Sequence, residues 1–277
     1  MTPDRRFLRS NGRAADARLD GQIAAASFVT PFSRTIGTSI ADLRRSPGGP
    51  RDKQLLYGQS FDVIDIRAGW AFGYDPADGY VGYVSESCLS KAIQPTHRVV
   101  APQTWILSEP DVKSPERLWL SIGSHVVVLA VEGGYCRTPS GWVPGAHITP
   151  LSKLADDPVG CAERLLGVPY LWGGDSAQGI DCSGLTHLAL SLSGMECPRD
   201  SDLQEQAFPE ATGALQRGDL IFWRGHVAIV RDPETIIHGN AHHGAVAVEP
   251  FEAAKDRIAA REFGTVTKIA RPTIIRQ

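Results

Sequence analysis

Residues 167–184 read GVPYLWGGDSAQGIDCSG, and the end of this stretch sets the reading of everything after it. Asp181 has the side chain of a helix N-cap. The apolar stripe Leu185, Leu188, Ala189 and Leu192, with Gly194 beyond it, predicts a helix that stops there. Cys182 then falls in the first turn, where unbonded N–H groups and the positive end of the helix dipole favour a thiolate. A free thiol titrates near ~8.5, and this position beside an imidazolium is expected to lower it to roughly 3.5–7.5. The alternative is a buried cysteine acting as a small hydrophobe. Gly173, Gly174 and Gly179 weigh against that, because they let a backbone approach a substrate closely.

Just upstream, Asp157-Pro158 opens a shorter helix with Val159, Ala162, Leu165 and Leu166 on one face and Gly167 as its stop. Downstream, DLIFW, HVAIV, TIIH, AVAVEP and TVTKIAR read as strands. Helix, helix, then strands argue an α+β domain over residues 155–277.

A cysteine nucleophile needs a base, and the base needs an orienting partner. His226 opens HVAIV and His238 closes TIIH, the two runs being joined through RDPE. An antiparallel hairpin with a three-residue loop centred on Asp232 sets His226 directly opposite His238, with Cβ atoms roughly 4.5–5.5 Å apart. An even loop sends the two rings to opposite faces. The expected triad is Cys182 as nucleophile, His226 as base and His238 as the residue holding the useful tautomer. The thiolate attacks an amide carbonyl, the Cys182 N–H helps hold the oxyanion, and water hydrolyses the thioester. Neither a metal nor another cofactor is required. A zinc site on His238, His242 and His243 competes, since a spacing of four suits ligands on a helix. Its surroundings, Gly239, Gly244 and AVAVEP, read as turn and strand, with no Cys or acidic residue at ligand spacing. His242 is a weaker candidate for the orienting role, and His187 reads as a surface or satisfied helix residue.

The N-terminal half differs in texture. Residues 1–39 are Arg-rich and read as an arm with a short helix around Asp20 to Phe28, whereas residues 40–150 hold short β-rich runs broken by Gly, Pro and Asp. A repeat lies within those runs: Gly58 precedes Trp70 by twelve residues and Gly123 precedes Tyr135 by twelve, each copy closing on Gly82-Tyr83-Val84 or Gly141-Trp142-Val143. Two small barrels, 40–95 and 96–150, explain this better than one sandwich does. Trp70, Tyr135 and Trp142 read individually as core aromatics.

Composition narrows the function classes. The 277 residues are 42% apolar and 21% charged, as in ordinary globular proteins. A net charge of −3 offers no concentrated positive face for nucleic acid. Apolar runs such as Val126 to Val131 fall well short of the roughly 20 residues that cross a bilayer, so no membrane span is expected. The charged start lacks the apolar stretch of a secretory signal, which gives a cytoplasmic expectation. Five cysteines without close pairing argue against a disulfide framework or a thiolate zinc site.

GVPYLWGGDSAQGIDCSG, PRDS (198–201), GDLIFWRGHVAIV (218–230) and IIHGN (236–240) together resemble the NlpC-type family of cell-wall cysteine peptidases. The Gly turn, β-run, Gly-aromatic pair and closing strand of the upstream modules resemble bacterial SH3-like domains. The resemblance implies a multidomain chain: two small all-β SH3-like barrels followed by an α+β papain-like catalytic domain. It also implies hydrolysis of peptidoglycan stem peptides between γ-linked D-glutamate and a diamino acid, as in γ-D-glutamyl-L-diamino acid endopeptidases of the dipeptidyl-peptidase VI type. By motif position, Cys182, His226 and His238 carry the chemistry, and Tyr170 and Trp172 match the Tyr-x-Trp pair that lines the family's site. Asp181 and Ser201 match positions that in some members hold the substrate's free amine and D-glutamate; Asp181 reads equally well as a helix cap, and Ser201 as a turn residue. In some members the first SH3-like domain walls off the site, for which Tyr80 is the candidate here, and Gln59 stands where a Glu is expected. With a cytoplasmic setting, the expected substrates are released muropeptides during wall recycling. A non-catalytic wall-peptide binding protein and a thiol acyltransferase are the competing classes.

Overall fold

The computed structural model describes residues 4–273 and divides into two units between Leu151 and Ser152. Among the described residues, no helix is long and apolar enough to cross a membrane.

In the first unit, strands Phe32–Ile36, Ile40–Arg44, Arg51–Leu56, Ser60–Arg67, Trp70–Tyr74, Val81–Ser85 and Leu89–Lys91 form one seven-stranded antiparallel sheet. Alternation decides which side chains turn inward: Ala41 and Leu43 from one strand, Phe61 and Val63 from another, meeting Ile36, Leu55 and Val84. Residues 97–150 repeat the same element order and the same pairings. The one departure lies where Ser60–Arg67 has its counterpart, which is interrupted into His125–Val126 and Ala130–Glu132. One continuous strand therefore gives one sheet in the first copy, and the broken one gives a three-stranded and a five-stranded sheet in the second. Trp70, Tyr135 and Trp142 are half-buried rather than core.

The arm differs from the sequence reading. No helix forms over 20–28; Ala14–Asp16 pairs in parallel with Ser27–Val29, and Phe32–Ile36 is already part of the first sheet. The arginines staple the arm down, Arg5 onto Asp52 at 2.8 Å, with the Arg6 carbonyl accepting from the Val81 N–H. β-branched and aromatic residues across Phe28 to Phe32 favour strand over helix.

In the second unit, α1 (Pro158–Glu163) starts as expected, with Asp157 accepting from the Val159 N–H at 3.0 Å. It ends at Glu163, before reaching Leu166, which is exposed. α2 (Cys182–Leu192) is capped by Asp181, buries Leu185, Leu188, Ala189 and Leu192, and stops before Gly194. α3 (Ser201–Ala207) and α4 (Phe251–Arg261) follow. Five antiparallel strands form the sheet in the order Ala245–Pro250, Thr235–Asn240, His226–Val230, Leu220–Trp223, Lys268–Ala270. α2 packs against the two strands that carry His226 and His238, while Phe251, Ala254 and Ile258 of α4 cover a sheet face with Ile221, Ala228, Val230 and Ile236.

Candidate active site

The head of α2 is held from several sides. Asp181 Oδ1 accepts from the Gly184 N–H at 2.7 Å and Oδ2 from the Gly173 N–H at 2.8 Å. Arg199, fully buried, lies 3.0 Å from Asp181 and 2.7 Å from Asp175, and donates to the Ser183 hydroxyl and the Gly174 carbonyl. Close approach also explains the glycines. A Cβ on Gly184 would lie 2.5 Å from the Gly174 oxygen, and one on Gly174 would lie 2.4 Å from the Gly179 oxygen. The glycine-rich segment is thus packed against itself and the helix head, which corrects the expectation that Gly174 and Gly179 are spared for a substrate.

At that head the backbone N–H groups of Val227 and Ser183 act on the Cys182 thiol and favour its ionised form. Val227 directly follows His226, so the sulfur meets the sheet one residue from the imidazole-bearing position. Cys182 is 6% exposed. Burial pushes its thiol up to about 12, and the Asp181 carboxylate adds to this, against the opposing pull of the two N–H groups and Arg199. The expectation of a lowered thiol pKa is therefore overturned: the helix head does not outweigh desolvation and the neighbouring acid.

His226 and His238 meet through a 2.8 Å bond from Nε2 of the first to Nδ1 of the second. Ile229 pairs with Ile237 and Val230 with Ile236, so each partner lies two residues beyond the expected register and the turn centres on Pro233 rather than Asp232. Continued, this register sets His226 opposite Asn240 and makes His238 its diagonal neighbour. The odd loop keeps both rings on one face, and long side chains close a diagonal gap. His226 is also flanked by rings, with Phe263 stacked on it at 5.2 Å between centroids and Trp223 at 5.7 Å. Burial pushes His226 down to about 3, helped by the neighbouring His238 and Arg257, so it rests as a neutral imidazole. Burial lowers His238 as well, against the pull of Glu249.

Other sequence candidates fall in different places. Tyr170 is half-buried, and burial together with Cys182 and Asp181 raises its phenol. Trp172 is 71% exposed. Ser201 is the first residue of α3. Asp181 is the cap of α2, the alternative left open for it. Tyr80 is 2% exposed and belongs to the core of the first sheet with Ile36 and Leu43. The Gln59 oxygen accepts from the Leu56 N–H at 2.8 Å. His187 is satisfied on the Cys197 carbonyl at 2.7 Å.

Two residues escaped the sequence reading. Glu249 accepts from His238 Nε2 at 2.7 Å, and Arg257 of α4 lies on the same Glu249 oxygen at 2.5 Å. An acidic partner for the histidines thus exists in space though not at ligand spacing in sequence, and ligand atoms of His238, His243 and Glu249 lie within 4.8 Å of one another. His242 is not among them. The set suits a cation poorly, because both His238 nitrogens are engaged and the Arg257 charge shares the carboxylate oxygen.

The NlpC/P60 family matches residues 167–258, the segment holding Cys182, His226, His238 and Glu249, and the bacterial dipeptidyl-peptidase SH3 domain matches residues 43–89. The chain carries an NlpC/P60 domain preceded by a bacterial SH3 domain. The chain is 29% identical over 214 residues to a γ-D-glutamyl-L-lysine dipeptidyl-peptidase of Bacillus cereus, covering 74% of this chain and 60% of that protein. It is 29% identical over 230 residues to dipeptidyl-peptidase 6 of Lysinibacillus sphaericus, covering 72% and 83% respectively. The crystal structure of an NlpC/P60 family protein from Bacillus cereus superposes with a TM-score of 0.74 at 22% identity, over 87% of this chain and 99% of that one, a likeness of fold. The NlpC/P60 match and these relatives support a cysteine peptidase.

Proposed function

We propose that the protein is a cysteine peptidase that hydrolyses the γ-D-glutamyl–diamino acid bond of peptidoglycan stem peptides, releasing L-Ala-D-Glu from free muropeptides during wall recycling. The observation that carries the reading is the buried His226–His238 pair, with His226 directly before Val227, whose backbone N–H acts on the Cys182 thiol. The names of the two relatives support the bond and the dipeptide product. On this reading the second β body is a further SH3-like barrel, because it repeats the pairings of the first, and the second unit is papain-like.

The chemistry starts from a thiol and a neutral imidazole. As the sulfur attacks the amide carbonyl, its proton passes to His226 and the C–S bond forms, with the Cys182 N–H beside the developing oxyanion. The imidazolium then gives the proton to the diamino acid nitrogen as the C–N bond breaks. Water, giving a proton to His226, attacks the thioester and frees the dipeptide and the thiol. Tyr170 lines the sulfur's side of the site.

Purified protein incubated with L-Ala-γ-D-Glu-diaminopimelate should release L-Ala-D-Glu, and Cys182→Ala should abolish this. Digestion of crosslinked sacculi with no action on the tripeptide would overturn the free-muropeptide reading.

A further inference from the structure

Glu249 sits on the strand beside that of His238, where His238 pairs with Ala247 and Glu249 lies two residues further on. Side chains two apart share a face, so His226, His238 and Glu249 form a diagonal row across three adjacent strands, all on the face covered by α4. From α4, Arg257 reaches Glu249, and its other nitrogen bonds Glu262, which leads into Phe263 stacked on His226. The row is thus closed by α4, which charges its far end, and by the segment just after it, which covers its near end.

We propose that Glu249 is a positioning residue that fixes the tautomers of His238 and His226, leaving the Nδ1 lone pair of His226 as the base for Cys182. The inference rests on the peptidase reading above for its catalytic meaning, though its geometry stands apart from it. A carboxylate paired with Arg257 only accepts, so His238 Nε2 carries the hydrogen of the 2.7 Å bond. In a neutral ring Nδ1 of His238 is then an acceptor, and the 2.8 Å bond requires hydrogen on His226 Nε2. His226 Nδ1 is left bare. When the thiol ionises, its proton moves from Sγ to that nitrogen and the electron pair stays on sulfur. No other proton changes place, and the new positive charge faces an acceptor row ending in a carboxylate. Arg257 and His243 are the other charged or titratable groups beside His238; both oppose a positive His238, consistent with its remaining neutral. Hydrogen bonds from His238 and Arg257 outweigh burial and hold the Glu249 carboxyl down at about 2, so it is ionised throughout the working range.

The test is the imidazole nitrogen spectrum of the ¹⁵N-labelled protein near neutral pH. Both His226 and His238 are expected as Nε2–H tautomers, and either ring found as Nδ1–H or as imidazolium overturns the proposal. Glu249→Leu should mix the tautomers of His238 and lower kcat at least about tenfold with KM little changed, whereas Glu249→Gln, whose amide oxygen still accepts, should keep the tautomers. Unchanged tautomers and kcat in Glu249→Leu contradict it; if that variant does not fold, the wild-type spectrum decides. A protein with the expected tautomers that leaves the tripeptide intact defeats the peptidase reading alone.

Discussion

A Cβ on Gly239 would lie 3.2 Å from the carbonyl carbon and oxygen of Asp181, which is how closely the strand of His238 approaches the helix head. Gly239→Ala is therefore expected to move that head away from the sheet. Stability should fall by about 1–3 kcal/mol, the usual cost of overpacking, together with kcat/KM; urea titration and steady-state kinetics check both. The thiol supplies a second prediction at this scale. With its pKa raised to about 12, alkylation of Cys182 by iodoacetamide should keep accelerating as pH rises through 9. A plateau reached in mild acid, the mark of a preformed thiolate, contradicts the neutral pair. Here the sequence was legible in part. The cap, the cysteine and both histidines stand out as residue types in a pattern, but spacing reveals a helix N-terminus without revealing how deeply it is buried or that its own capping acid opposes a thiolate.

At the scale of elements, α2 was readable because cap, apolar stripe and stop are all local to Asp181–Gly194. α4 was not, because Pro250 offers no side-chain cap and only Phe251, Ala254 and Ile258 mark a buried face. The hairpin parity followed from an odd loop, whereas its two-residue register offset followed from Asp232, whose carboxylate bonds the N–H groups of Glu234 and Thr235 and draws the turn onto Pro233. Glu249 could not be found without that register and the next. Arg199 is the element-level clamp, joining α2, the Gly174–Asp175 segment and PRDS in one buried ion cluster. Burial weakens its charge, but Asp175 and Asp181 overcome this and hold it well above the ordinary arginine range. Arg199→Met should cost about 3–5 kcal/mol by leaving two buried carboxylates unpaired, read as a lowered urea midpoint. A change below about 1 kcal/mol would contradict the clamp.

Across the whole molecule, acid is the predicted weakness of the second unit. His226 and His238 are buried with lowered pKa values, His226 at about 3. Above about pH 6.5 neither folded nor unfolded histidines bind protons, so their full contribution is present. As pH falls below that, the unfolded chain takes up protons that the folded rings refuse, and stability declines by up to about 1.4 kcal/mol per pH unit for each residue. The urea midpoint should drop between pH 6.5 and 4, and a flat profile contradicts buried neutral rings. The two-unit division and the repeat in the first unit were visible in texture and in the twelve-residue spacings, while the arm was misread because Ala14–Asp16 pairs with Ser27–Val29 inside it and Phe32–Ile36 pairs with strands far along the chain, neither of which local pattern shows. The claim on which the rest depends is that Cys182 forms the covalent bond. Rapid quenching with L-Ala-γ-D-Glu-diaminopimelate, followed by mass spectrometry of the peptides, should show one L-Ala-D-Glu acyl group on the peptide carrying Cys182, absent in Cys182→Ala. Dipeptide release with that peptide never modified, or with the acyl group on another residue, contradicts it.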